Sequence, residues 1–283
     1  MTVEEVAQYL GSVAGRPAAP RPEAVADVLA GLKRQALARD DQTEAKRLWC
    51  LEQVLQTQNL YLAAFSRLKD REFYLAWCDF ERVEITLASL ERHDTGFWRE
   101  FRLDFIGTQT AKWQSLYPYK VFTSPEMIER AECSSCGRPT MPRKPCGHIL
   151  GEIYDGELCC RVVTEIEAVL GIAFVSKPVQ KYSVPFKIDP DTGKSYDHYN
   201  YGVPEFAASA LRVPFDDWNL ERTTRRQPHS RFAEVRKDDP CPCESGKNYE
   251  DCCLPEEGVL RPHLEFSFAV PPPPDTPHDS FIA

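Results

Sequence analysis

Apolar residues recur at intervals of three and four through Leu48, Leu51, Val54, Leu55, Leu60, Ala64 and Leu68, and again through Phe73, Trp77, Phe80, Val83, Leu87 and Leu90. Each set makes one stripe along a helix. Between Glu23 and His93 there is no proline, and Gly31 is the one glycine. Two or three antiparallel helices that bury both stripes against each other are therefore expected. Cys50 and Cys78 lie within them and read as small buried hydrophobes. The proline-rich stretch 16–22 separates these helices from a short first segment.

After residue 130 the pattern changes. Glu165–Leu170 reads as a short helix, and Gly171–Val175 and Tyr182–Phe186 as strands, the second an edge strand because of Pro185. Asp155-Gly156, between Ile149 and Leu158, predicts a tight hairpin. Asp189–Gly193 predicts a second one. Gly193-Lys194-Ser195 ends like a phosphate-binding loop, but Ile188 stands where that loop needs its first glycine. Val203–Leu211 and Pro214–Glu221 read as short helices, and Leu264–Val270 as a short strand. The class expected is α+β: a helical domain over 1–130, a zinc-knuckle domain over 131–221, a basic linker over 222–237, a small cysteine-rich module over 238–255 and a Pro-rich tail over 256–283.

Composition narrows the function classes. The chain has 283 residues, 42% of them hydrophobic, and a net charge of −9, so as a whole it is no nucleic-acid coat. No apolar run approaches the roughly 18 residues of a membrane span. The acidic start Met1–Val6 lacks the blocks of a signal peptide, and a cytoplasmic location is expected. In that reducing compartment eleven cysteines point to metal sites rather than disulfides.

Two cysteine clusters carry the candidate chemistry. In the first, Cys133-Ser134-Ser135-Cys136-Gly137 is a C-x2-C knuckle, followed by Cys146-Gly147-His148 and by Cys159-Cys160. The ligand set is Cys133, Cys136 and Cys146 with His148, or with Cys159 as the fourth and His148 beside the site. More cysteine than histidine favours a closed structural site. Glu152 and Glu157 are the nearby carboxylates, and neither H-E-x-x-H nor a deaminase P-C-x-x-C is present.

The second cluster, Cys241-Pro242-Cys243 followed by Cys252-Cys253, packs four thiols into a segment too short for an apolar core. It resembles the SEC-C motif, the zinc module at the C-terminus of the preprotein-translocase motor ATPase, which is also appended to many unrelated bacterial proteins. The resemblance implies that Cys241, Cys243, Cys252 and Cys253 bind zinc and that the module contacts a protein or ribosomal partner. Glu244 stands where the family usually has glycine. From Lys237 to Glu257 seven acidic residues face two basic ones. Positive charge gathers just before, in Arg222, Arg225, Arg226, Arg231, Arg236 and Lys237, which read as a solvated linker or as an RNA contact.

The function expected is a cytosolic adaptor with two structural zinc ions. An enzyme acting on nucleic acid or protein, with its site in the α+β body, is the alternative.

Overall fold

The computed structural model describes residues 1–15, 22–93, 96–141 and 143–276, with backbone alone at Pro22, Phe97 and Trp98. The expected break at 16–22 and the end of the tail, 277–283, fall almost wholly outside them. The chain divides into two compact units, Met1–Asn200 and Tyr201–Ala283.

The first unit opens with six helices: α1 (Val3–Gly11), α2 (Pro22–Ala38), α3 (Gln42–Lys69), α4 (Phe73–His93), α5 (Phe97–Glu100) and α6 (Leu103–Gln114). Thr2 and Glu5 form a capping box on α1, and the Asp41 carboxylate caps α3. The long α3 is buried on more than its predicted stripe, because α1, α2, α4 and α6 all pack on it. Thr57, Gln58 and Tyr61 are therefore interior. Buried Gln58 satisfies its amide by donating to the carbonyls of Leu10 and Phe101. Arg67 on α3 reaches the buried Asp79 of α4 at 2.6 Å.

Beyond the helices, β1 (Phe122–Cys133) pairs antiparallel with β4 (Arg161–Val175) in a two-stranded ribbon. Between them lies a small hairpin, β2 (Ile153–Tyr154) with β3 (Glu157–Leu158). Asp155 and Gly156 hold φ of 50° and 68°, the double left-handed turn expected of Asp-Gly. The chain returning from β4 is fixed to α4: Trp77 Nε1 donates to the Lys181 carbonyl at 2.7 Å, and the Tyr74 hydroxyl to that of Tyr182 at 2.8 Å. The second predicted hairpin is β5 (Lys187–Ile188) with β6 (Ser195–Tyr196).

The second unit contains α7 (Gly202–Ala210), β7 (Trp218–Gln227) and β8 (Val259–Phe268). The two strands pair antiparallel from Trp218↔Phe268 to Gln227↔Val259. Phe206 of α7 packs on Phe266 and Phe268, and Trp218 on Phe266.

Four local expectations are corrected. Glu165–Leu170 is the middle of β4, not a helix. The register slips three times along the ribbon, each time giving β4 one extra residue. These bulges space its apolar residues by three, which imitates a helical stripe. Pro214–Glu221 is not a helix either. Asp216 accepts from the amides of Arg212 and Val213, so this acid closes a turn instead of capping a helix. Tyr182–Phe186 lacks regular strand structure. The stretch 222–237 is not a solvated linker, since residues 222–227 are strand β7.

Candidate metal centres

The first centre is built at the far end of the ribbon. The Cys133 carbonyl accepts from Gly137 N at 2.8 Å, and Cys133 N donates to the Arg138 carbonyl at 2.9 Å. This turn needs the left-handed φ of +66° that Gly137 supplies. Arg138 donates to the Cys146 carbonyl at 2.8 Å, drawing in the Cys146-Gly147-His148 loop. The His148 ring rests edge-on against Tyr154. As a result the donor atoms of Cys133, Cys136, Cys146 and His148 all lie within 4.8 Å of one another. Cys146 Sγ and His148 Nδ1 are 3.8 Å apart. Tetrahedral zinc, with bonds of about 2.0–2.3 Å, spaces its ligands by about 3.5–3.8 Å, so a metal ion fits among these donors.

Cys159, the alternative ligand, is fully buried with Sγ 3.6 Å from that of Cys133. It touches the group from one side without joining the four mutually close donors. Cys160 is exposed, and its backbone pairs with Ser134. Burial pushes the Cys133 thiol up, but the Ser135 amide and the thiols of Cys159, Cys146 and Cys136 outweigh it and bring it to about 7.

The β2–β3 hairpin carries this centre's outer wall and is held by the helices. Lys33 of α2 donates to Glu52 at 2.7 Å, to Glu157 at 2.8 Å and to the Gly156 carbonyl at 3.0 Å. Arg92 pairs with Glu152 at 2.8 Å. The two carboxylates considered as catalytic bases thus have structural partners. No local spacing in the sequence marks Lys33.

The second centre lies between β7 and β8. Cys241 N donates to the Lys247 carbonyl at 2.8 Å, and Tyr249 N to that of Asp239 at 2.9 Å, folding the segment back on itself. The four sulfurs of Cys241, Cys243, Cys252 and Cys253 lie within 4.8 Å of one another, with Cys243–Cys252 at 3.5 Å and Cys252–Cys253 at 4.0 Å. The Ser245 hydroxyl leads in drawing the Cys243 thiol down to about 6, while burial pushes Cys253 up to about 12. Four adjacent thiolates repel one another, and a bound cation removes that conflict.

Residues 239–255 match the SEC-C motif. No curated protein and no solved structure matches the chain. Both donor groups can hold a metal ion, and SEC-C is a metal-binding motif.

The packing around this centre reaches beyond the matched residues. Phe232, Val235 and Leu254 pack on a small core of Cys241, Tyr249, Cys253 and Val259. His229 lies 2.5 Å from the Tyr249 hydroxyl through Nδ1, and 2.8 Å from the Glu256 carbonyl through Nε2. A carbonyl can only accept, so in the neutral ring Nε2 carries the proton and Nδ1 accepts from tyrosine. Arg226 bonds Glu256 at 2.9 Å and the Gly258 carbonyl at 2.8 Å; Arg261 bonds Glu244 at 2.9 Å and also the Pro242 carbonyl. Gly258 is required: a Cβ there would lie 2.4 Å from the Gln227 carbonyl. Of the basic residues singled out in the sequence, Arg222, Arg225 and Arg226 are on β7, and Arg231 is in the short turn His229–Phe232. Arg236 faces Asp238 at 3.6 Å, and Lys237 is exposed. His229 and Arg261 were not legible as parts of the site, because only pairing across the strands brings them to it.

Glu244 holds a left-handed φ of 63°, which explains the glycine usual at this place in SEC-C sequences. Glu244→Gly should stabilise the module by about 1 kcal/mol, since the left-handed strain goes, the Glu244 carboxylate is mostly in solvent, and the largely buried Arg261 keeps its bond to the Pro242 carbonyl. Slower exchange of the Cys241 and Tyr249 amides would show it, and faster exchange would contradict it.

Proposed function

We propose that this protein is a cytosolic zinc-binding adaptor whose SEC-C module engages a partner protein, ribosomal or other. The supporting observation is that each compact unit contains its own complete set of four soft donors. Thiolate-rich, tetrahedrally spaced sets select zinc among the available divalent metals. Four protein ligands leave no open vertex for a reactive water, so the role assigned to both ions is structural. Among the described residues no helix is long and apolar enough to cross a membrane. Eleven cysteines, none of them in a disulfide among the described residues, support the cytosolic assignment.

The module's acidic residues outnumber its basic ones, which favours a partner with a basic protein face over bare RNA. The RNA reading also loses Arg226 to Glu256 within the module. Purified protein should contain about two zinc ions per chain. Tagged protein should capture proteins that a Cys252→Ser, Cys253→Ser variant does not. One zinc per chain would remove a centre, and an identical set of captured proteins, or RNA alone, would overturn the adaptor.

A further inference from the structure

The β1–β4 ribbon leaves an unusual face uncovered. Residues opposite each other on paired strands share a face. The register sets Thr123, Pro125, Met127, Glu129 and Ala131 of β1 against Phe174, Ile172, Val169, Ile166 and Val163 of β4. All five β4 members are large and apolar, and all are exposed: Ile166 55%, Val169 60%, Ile172 65% and Phe174 71%, with Val163 at 43%. The opposite face is more mixed: Glu126, Arg130, Glu132 and Glu165 alternate there with Ser124, Ala173, Gly171 and Ala168, and Ile128 and Val162 are its exposed large apolar residues. The three bulges in β4 are what gather its apolar residues onto one side. A two-stranded ribbon with neither face covered is at best marginally stable in water.

The geometry points to a second copy of this chain as the cover, with the two apolar stripes stacked antiparallel about a two-fold axis. Three observations favour a copy over another partner. The stripe tapers from Phe174 and Ile172 at one end to Val163, which lies opposite the buried Ala131, at the other. Antiparallel stacking therefore sets the large end against the small end, with Val169 near the axis. The only charges on the face, Glu129 and Arg161, bond to each other, so the face is neutral and does not repel its own copy. The five β4 side chains expose roughly 500 Å². Two faces together bury roughly 1,000 Å², the threshold for a specific interface.

The test uses the full chain. Sedimentation equilibrium should give twice the 32.3 kDa chain mass. Ile166→Glu and Ile172→Glu, made singly, each place two carboxylates, one from each copy, in the symmetric interface and should weaken association on the order of 100-fold. Ala173→Glu, on the same strand but facing the other way, should leave the dimer intact. A benzophenone amino acid at position 169 should cross-link to the 163–174 segment of a second copy, which does not depend on how well the glutamate variants fold. A wild-type protein of single-chain mass up to ~100 µM, a dimer that the stripe variants leave intact, or cross-links confined to one chain would each overturn the assignment.

Discussion

Cys253→Ser should empty the C-terminal metal centre and unfold the module around it. The four sulfurs are not an addition to an existing core; Cys241 and Cys253 are half of that core, with Tyr249 and Val259. Structural zinc contributes about 10–16 kcal/mol in small modules of this kind, far more than so little apolar area supplies. Serine offers zinc a poor ligand at neutral pH. The zinc content should fall by one ion per chain, and the amides of Cys241, Tyr249 and Leu254, bonded to Lys247 and across the turn, should lose protection from hydrogen exchange. The first centre should keep its metal. Persistent protection of those amides in zinc-free protein would show that the peptide folds without its ion.

The second large effect is expected far from any cysteine. Lys33→Met should destabilise the first unit by about 3 kcal/mol. Burial pushes the Lys33 ammonium down, but the hydrogen bonds it donates to Glu157 and Glu52 bring it above its ordinary value. Burial is also the largest influence on Glu52 and pushes its carboxyl up despite Lys33. The pair is therefore held together under strain, and deleting the cation leaves Glu52 buried and uncompensated. Glu157 is mostly exposed and can turn to water, so the loss falls mainly on Glu52. Adding Glu52→Leu to Lys33→Met should recover a large part of the stability, because two apolar groups replace a desolvated pair. Chemical unfolding of the single and double variants measures this. A double variant no more stable than Lys33→Met would refute it. The Gly151 and Cys159 amides, on the hairpin anchored by Lys33, should exchange faster in the single variant.

The parts of this protein fixed by local chemistry were legible in its sequence. The close-spaced donors of both centres, the Asp155-Gly156 turn and the stripes of α3 and α4 follow from short-range rules. What was hidden depends on pairing between distant residues. The three-residue spacing in β4 looks helical until β1 forces bulges into it. The basic stretch from Arg222 looks like a tether until Val259 and its successors pair with it. Three of the arginine and histidine contacts that shape the module, from Arg226, His229 and Arg261, could not be read for the same reason.

The pairing of Gln227 with Val259 has an architectural meaning. Neighbouring strands put these residues about 5 Å apart, so the metal module begins and ends at one point on a continuous ribbon. It is a cassette set into the tip of a hairpin. An insert whose termini meet at that separation could take its place only if it also covered Val259 and bonded Arg226 and Arg261, which the module now does. A load applied to the cassette would pass directly into the β7–β8 hydrogen bonds, because no slack chain lies between.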